Sequence, residues 1–325
     1  MMFLDKSRFG LTDSSFLGGY HIAYAFADSI LTPEGRTPSD SNAIDIKKNI
    51  GIIKLYEEAN ERKRLSYGLL KDNNCIVFDY INKFWKEYPS RYFAYGFNEK
   101  YGFVDTTGTS SGYISKDVLM KSIEELIEKN EMAFFWYLKK GYYINPNTAI
   151  KSLINKHNFK SDEISIFECR TLSNMYAYFV LLFDNKRFIA SGACASLNSD
   201  IALEGAINEA KLLEWQNYCN FRSTIAGLKD IEFQNIYNYY LSLKKKSKYL
   251  SCHVSNKLKF SDRIESLDIA ILNTLDNHKS ITIKCASEEL LSCIPRKNNL
   301  DRNNSELSKK IRGLDYKLTP DCILL

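Results

Sequence analysis

Residues 106–131 read TTGTSSGYISKDVLMKSIEELIEKNE. A turn rich in Gly, Ser and Thr runs straight into a helical pattern. Ser115 suits the N-cap, and Leu119, Ile123, Leu126, Ile127 and Phe134 form an apolar stripe. The spacing predicts a helix over 115–137. It carries Glu125 and Glu128, three apart, with Lys129 beside them. Upstream, EANER at 58–62 repeats the arrangement with Glu58, Glu61 and Arg62. Residues three apart share a helix face. The chain therefore presents a carboxylate pair with an adjacent cation twice.

Two readings follow from the residues. Each pair lies away from its helix's apolar stripe, and glutamate is a good helix former, so both pairs fit solvated faces. The second reading is a site for a hard cation and a nucleotide. Magnesium takes oxygen ligands, usually one or two carboxylates plus substrate phosphates. Arg62, Lys121 or Lys129 would then offset phosphate charge. The TTGTSSG turn, just upstream of the helix, offers backbone N–H groups to an anion. No G-x-x-x-x-G-K-[ST] occurs, nor a G-x-G-x-x-G after a strand, so neither an ordinary P-loop nor a Rossmann site is expected.

Composition bounds the class. The 325 residues are 45% hydrophobic, ample for a core. A net charge of +5 permits an acidic partner without requiring one. The densest basic run, Lys244–Lys248, lacks aromatic interleaving and reads as a solvated helix end, so a nucleic-acid partner is not expected. The eight cysteines (Cys75, Cys169, Cys194, Cys219, Cys252, Cys285, Cys293, Cys322) form no C-x-x-C and read as free thiols of a reducing cytoplasm. No segment reaches the roughly 18 apolar residues of a membrane span.

Helical and strand patterns alternate along the chain. LTPEGRTPSDSN reads as a loop and GGYHIAYAF as a strand. A helix is expected from Ile52 to about Leu70, with Ile52, Ile53, Leu55, Tyr56 and Ala59 on its apolar face. CIVFDYI and RYFAYGF read as strands, GYYINPN as a linker, and Ala149–Lys156 as a short helix. ISIFEC, YAYFVLLF and RFIASGACA follow as three strands. Asn198–Asp200 caps a helix whose buried side holds Ala202, Leu203, Ala206, Ile207 and Ala210. IESLDIAILNTLDNH reads as a helix and SITIKCA as a strand. FFWY at 134–137 reads as core, Cys194 as a buried small strand residue, and His21, His157, His253 and His278 as structural. The fold class is α/β, or α+β if the strands pair antiparallel. No apolar-poor linker divides the chain, so one domain over 1–325 is expected.

Three elements together carry a family resemblance. TTGTSSG followed by EELIEKNEMAFFWY resembles the central signature of the YcaO family, a T-G-x-A-A-G-like turn before a helix with E-L-x-E-R-D-A and then Trp. GIIKLYEEANERKR at 51–64 resembles the earlier family helix ending E-x-x-E-R. ASGACASLNSDIALEGAINEA at 190–210 resembles the later strand, turn and helix. Their order agrees over residues 50–216, with 217–325 as the rest of the same domain. The resemblance implies ATP and Mg2+ as cofactors and Glu58, Glu61, Glu125 and Glu128 as metal ligands. It also implies that Arg62, Lys129, Gly108, Gly112 and Glu209 serve the nucleotide. LLEWQNY resembles the W-Q-S-Y of microcin-type azole synthetase subunits, which makes Gln216 a candidate polar contact beside its plain role as a helix-end residue. The residues single out no catalytic base.

The activity implied is ATP-dependent cyclodehydration of a ribosomally synthesised precursor peptide, of the kind used in bacteriocin biosynthesis. A Cys, Ser or Thr side chain closes on the preceding amide to give thiazoline or oxazoline. A separate leader-binding protein, similar to a ubiquitin-activating enzyme, would deliver the peptide, and the family allows a flavin-dependent azoline oxidase as a third component. The chain departs from the pattern at Lys54 (Ser in many members), Lys129 (Arg), Asn130 (Asp) and Leu212 (Gln), and PDCILL lacks a proline-rich ending. These departures motivate two alternatives: thioamidation or sulfur transfer by the same amide activation, and a scaffold whose site has decayed.

Overall fold

The structure, a computed structural model, describes residues 9–13, 15–26, 31–32, 35–67, 74–219, 225, 227–246, 257–272 and 280–324. The chain opens with β1 (Phe9–Asp13), β2 (His21–Phe26), the short pair β3 (Leu31–Thr32) and β4 (Gly35–Arg36), and β5 (Asp40–Asp45). Helix α1 (Lys48–Tyr67) leads to β6 (Asn74–Asp79), β7 (Phe84–Pro89), β8 (Gly96–Asn98), β9 (Gly102–Val104) and β10 (Thr109–Gly112). After α2 (Ser115–Trp136) come β11 (Tyr142–Ile144), α3 (Thr148–Lys156), β12 (Glu163–Cys169), β13 (Tyr176–Asp184) and β14 (Arg187–Ser196). Then follow α4 (Ser199–Cys219), α5 (Asp230–Lys246), β15 (Asp268–Ile271), β16 (Ile281–Ala286), α6 (Lys297–Arg302) and α7 (Glu306–Arg312). The two largest sheets, β10-β16-β15-β6-β7 and β11-β12-β13-β14, are antiparallel throughout. The α+β alternative is therefore the fold class. The chain makes two compact units, one from residues 1–12, 22–130 and 262–314, the other from 13–21, 131–261 and 315–325.

In the first unit α1 has both flanks covered. Leu55 packs with Ala23, Ala25 and Ala43 of β2 and β5, and Leu65 joins Val77, Phe93, Tyr101 and Val104 in a second cluster. Burial on two sides takes in polar residues, so Asn60, Arg64 and Ser66 are buried beside Ala59. Ile52 and Ile53, expected on the apolar face, project to solvent instead at 40% and 46% exposure. Helix α2 covers β10 and β16. Ser122 Oγ donates to the Gly108 carbonyl at 2.5 Å, and Asn130 both donates to Leu291 O and accepts from Leu291 N. An aspartate at 130 could accept but not donate. Ser115 is the first helical residue of α2, and the Ile114 carbonyl takes the first helix bonds from Asp117 and Val118.

In the second unit α4 lies on the four-stranded sheet. Ala202, Leu203, Ala206, Ile207 and Ala210 are buried as expected, and Asn198 Oδ1 accepts from the N–H groups of Asp200 and Ile201. The packing is backbone to backbone at Gly192, where a Cβ would lie 2.0 Å from Ala206 O and 2.3 Å from Ala210 N. Gly192→Ala is expected to lower stability by about 2 kcal/mol, the usual cost of overpacking. A guanidinium melt matching wild type would show that the helix yields at no cost. Phe134–Tyr137 are all buried, as core. His157 is buried, with its ring nitrogens on Leu153 O and Asn208 Oδ1.

Several expectations need correction. The loop LTPEGRTPSDSN contains the paired strands β3 and β4, and Asp40 opens β5. TSSG within the quoted turn is β10, and the linker GYYINPN contains the edge strand β11. RYFAYGF begins as a 3-10 turn over Ser90–Phe93, because Pro89 ends β7 without a ladder donor. The expected helix IESLDIAILNTLDNH holds strand β15, paired on both sides. Cys194 is half-buried, and the seven cysteines among the described residues are free. Lys248, Cys252, His253, His278 and the rest of 273–279 lie outside the described residues. No helix among the described residues is long and apolar enough to cross a membrane.

Candidate functional site

The two glutamate pairs meet within the first unit. Glu61 of α1 feels the negative charge of Glu125 on α2 and of Glu58 on its own helix. Glu125 in turn feels Glu128 and Asp105. Glu128 and Lys129 are buried at 8% and 7% exposure and form an ion pair at 2.7 Å. Glu61 and Glu125 are half-buried. The α2 pair thus does not lie on a solvated face.

The electrostatics follow from this crowding. Loss of hydration, then repulsion from Glu125 and Glu58, pushes the Glu61 carboxyl well above the usual range. Burial pushes Glu125 up to about 8, with Lys129 opposing and Glu128 adding to the shift. Glu58 is committed differently. It accepts from Asn42 N at 2.7 Å and from Arg62 Nη2 at 2.6 Å. Burial works against the Arg62 charge, yet Glu58 and Asp40 hold that guanidinium protonated beyond its ordinary range. Glu57, with burial raising its pKa, faces Lys121 and Lys54.

The turn is built into the same cluster. Thr109 N donates to Glu125 Oε2 at 3.0 Å, so this N–H meets a carboxylate rather than standing ready for a phosphate. Gly108 has φ +73°, and a Cβ there would come within 2.8 Å of Cys285 O. Its carbonyl accepts from Cys285 N at 2.7 Å. Gly112 sits against α1 and α2, where a Cβ would meet Val118 Cγ2 at 2.9 Å and Glu57 Oε1 at 3.4 Å. Both glycines let the turn and β10 approach the helices closely.

The residue that sequence reasoning missed is Lys284 on β16. It is fully buried, and its Nζ donates to Asp105 O at 2.8 Å and to Thr107 O. Burial lowers its pKa, opposed by Asp105, Glu125 and Glu61, so it is the internal cation facing the cluster. Arg64 braces the same sheet through Ser280 O and Thr282 Oγ1. Glu209 and Gln216 belong to α4 of the second unit. Glu209 Oε2 accepts from Ala193 N at 2.5 Å, and Gln216 is half-buried.

Among the described residues, no three His, Cys, Asp or Glu side chains stand together closely enough to hold a metal ion alone. The donor set nevertheless fits a hard cation. Magnesium needs only one or two carboxylates when phosphates and water complete its shell. Glu61 and Glu125 are carboxylates that a cation would relieve. Buried polar atoms around them, Thr107 Oγ1, Thr109 Oγ1 and Arg62 Nε, have no hydrogen-bond partner among the described residues.

Comparison with known proteins agrees with this architecture. The family model described as "YcaO cyclodehydratase, ATP-ad Mg2+-binding" matches residues 75–264, more than half of the chain. This match covers Glu125, Glu128, Glu209 and Gln216 and begins after α1. The chain belongs to the YcaO family. Among solved structures it resembles YcaO from Methanopyrus kandleri bound with AMPPCP and Mg2+, at TM-score 0.68 and 10% identity, over 88% of this chain and 87% of that one. It also resembles the E. coli microcin synthetase McbBCD complex with pro-MccB17 bound, at TM-score 0.62 and 13% identity, over 91% and 90% of the two chains. A heterocyclase in complex with substrate and cofactor matches at TM-score 0.64 and 10% identity, over 87% of this chain and 49% of that one. At such identities the likeness is one of fold. No curated protein matches the sequence.

Proposed function

We propose that this chain is an ATP-dependent cyclodehydratase acting on backbone amides of a ribosomally synthesised precursor peptide. The observation that carries the reading is the convergence of Glu61 and Glu125, two carboxylates raised by burial, from helices distant in sequence. Such a pair is costly without a cation. Family membership supplies the chemistry that would make use of it. The relatives solved with AMPPCP and Mg2+ and with pro-MccB17 support ATP, Mg2+ and a peptide as the molecules bound.

Roles follow from position. Glu58, Glu61, Glu125 and Glu128 would hold Mg2+. Arg62 and Lys129, both paired with these carboxylates, would meet phosphate when the metal takes their partners. Gly108 and Gly112 keep β10 close to both helices, and Glu209, which the family resemblance assigns to the nucleotide, lies on α4 of the second unit. When bound, ATP supplies the phosphoryl group that turns an amide oxygen into a leaving group. The peptide's own Cys, Ser or Thr provides the nucleophile. The protein orients the reactants and excludes water, as phosphoryl transfer requires. Glu125, which titrates at about 8 while free of metal, could exchange a proton with the substrate, and burial pushes the Glu61 carboxyl in the same direction. We take both units to serve as one domain in the cytoplasm. A leader-binding partner resembling a ubiquitin-activating enzyme would deliver the peptide, and an azoline oxidase could act afterwards.

The test is intact-mass analysis of precursor peptide incubated with the chain, its partner, ATP and Mg2+. Loss of one water per ring is expected. With sulfide added to the same mixture as the sulfur donor, replacement of oxygen by sulfur would instead make the reaction thioamidation. An unchanged peptide with no ATP consumed, despite a bound partner, would leave a scaffold.

A further inference from the structure

We infer that the side-chain hydroxyl of Thr109 is a ligand of the Mg2+ that Glu61 and Glu125 would hold. The inference rests on the proposed nucleotide site and adds to it a neutral oxygen beside the carboxylates. Magnesium demands a near-octahedral shell of oxygens, and its protein share is usually one or two carboxylates. Here Glu58 is engaged by Asn42 N and Arg62, and Glu128 by Lys129. Among the described residues no three acidic, His or Cys side chains gather closely enough to hold a metal ion. Glu61 and Glu125 therefore lack a third side chain of their own kind. A threonine hydroxyl supplies such an oxygen to Mg2+ in P-loop nucleotide sites.

Thr109 stands where that oxygen is wanted. Its N–H donates to Glu125 Oε2 at 3.0 Å, so residue and carboxylate are tied together. Between β10 and β16, Thr109 opposes Lys284, two positions along from the pair Ser111 and Thr282. Cross-strand partners and residues two apart share one face of a sheet. Arg64 of α1 donates to Thr282 Oγ1, so this face looks onto α1, and Glu61 lies one helical turn before Arg64. The Thr109 side chain thus projects toward the helix that carries Glu61. Thr109 is 1% exposed, and its Oγ1 has no hydrogen-bond partner among the described residues. A buried hydroxyl left unbonded is destabilising. Lys284 does not relieve it, because its Nζ is held by the Asp105 and Thr107 carbonyls. Thr107 Oγ1 is equally orphaned, but the Thr107 N–H holds Asp105 rather than a carboxylate of the pair. An oxygen that the fold leaves unbonded beside two crowded carboxylates is suited to a cation.

Mn2+ serves as the probe, its binding read by electron paramagnetic resonance on the purified chain with and without ATP. Thr109→Val keeps the shape of the side chain and removes only the hydroxyl. It should weaken Mn2+ binding about ten-fold, whereas Thr109→Ser, which restores the hydroxyl, should keep the wild-type affinity. Free of metal, Thr109→Val should melt at or above the wild-type temperature, since it deletes an unsatisfied hydroxyl and valine suits a strand. Wild-type Mn2+ affinity in Thr109→Val would overturn the inference and leave the proposed site standing. A metal-free melt well below wild type would give the hydroxyl to the fold and overturn it as well. No Mn2+ uptake by the wild type in either condition would remove the proposed site, and this ligand with it.

Discussion

Glu125→Gln is expected to abolish nucleotide handling while leaving the fold at least as stable as wild type. The amide keeps the shape of the side chain, and its Oε1 can still accept from Thr109 N, as Glu125 does at 3.0 Å. What it loses is the charge. Removing one electrostatic contact to a transferring group typically costs about 100-fold or more in turnover. The stability effect runs the other way. In the metal-free chain Glu125 titrates at about 8, whereas an unfolded glutamate titrates near 4.3. Between those values the folded state keeps a proton that the unfolded state has released, so stability falls as pH rises through the interval. The variant escapes that fall, and its thermal midpoint should exceed wild type most clearly around pH 8. Calorimetric titration with ATP and Mg2+, beside melts at acidic and alkaline pH, reads both effects. Wild-type affinity in the variant would remove Glu125 from the site.

This opposition between stability and function explains part of what the sequence concealed. The two E-x-x-E pairs are visible in the letters, and so are the helices that carry them. Their surroundings are not. Spacing alone favoured a solvated face for the α2 pair, yet Glu128 and Lys129 are buried. Periodicity records which side of a helix is apolar. It does not reveal that a second layer covers the polar side as well. The same limit misplaced the buried face of α1, whose Ile52 and Ile53 are exposed while Asn60 and Arg64 are not.

Strands suffered a related ambiguity. A short apolar run such as DIAI fits a buried strand and a helix turn equally well. Only its pairing with both β6 and β16 decides the matter. The antiparallel meander β12-β13-β14 was legible because turn residues separate three long apolar runs. Segments rich in Pro, Gly and Ser were harder, because their turn signals mark a hairpin's tip and say little of its flanks. Glu61 and Glu125 could be paired in advance only through the family resemblance, since their approach rests on contacts between residues far apart in sequence.

Lys284 lay beyond both kinds of reading, and its replacement carries the second large effect. SITIKCA declares a strand, and lysine in a strand ordinarily points to water. Here α1 and α2 both pack at β16, and Lys284 is fully buried. Its ammonium is held by Asp105 O and Thr107 O and faces Asp105, Glu125 and Glu61. Lys284→Met keeps most of the volume and removes the cation. Breaking a buried charge arrangement on one side typically costs about 3–5 kcal/mol, because the remaining charge is left uncompensated. The carboxylates can escape by holding their protons, so the cost must depend on pH. Without Lys284, Glu61 and Glu125 should titrate higher still than in wild type. At about pH 6 Glu125 is protonated in both proteins and the variant loses little; above the wild-type value of about 8, where wild-type Glu125 ionises against Lys284 and the variant's does not, the deficit widens. Denaturant melts at the two values measure this gap directly. A variant as stable as wild type at the higher pH would mean that Lys284 does not balance the cluster. If instead the deficit appears and added Mg2+ narrows it, a cation from solution is replacing the one the chain supplies.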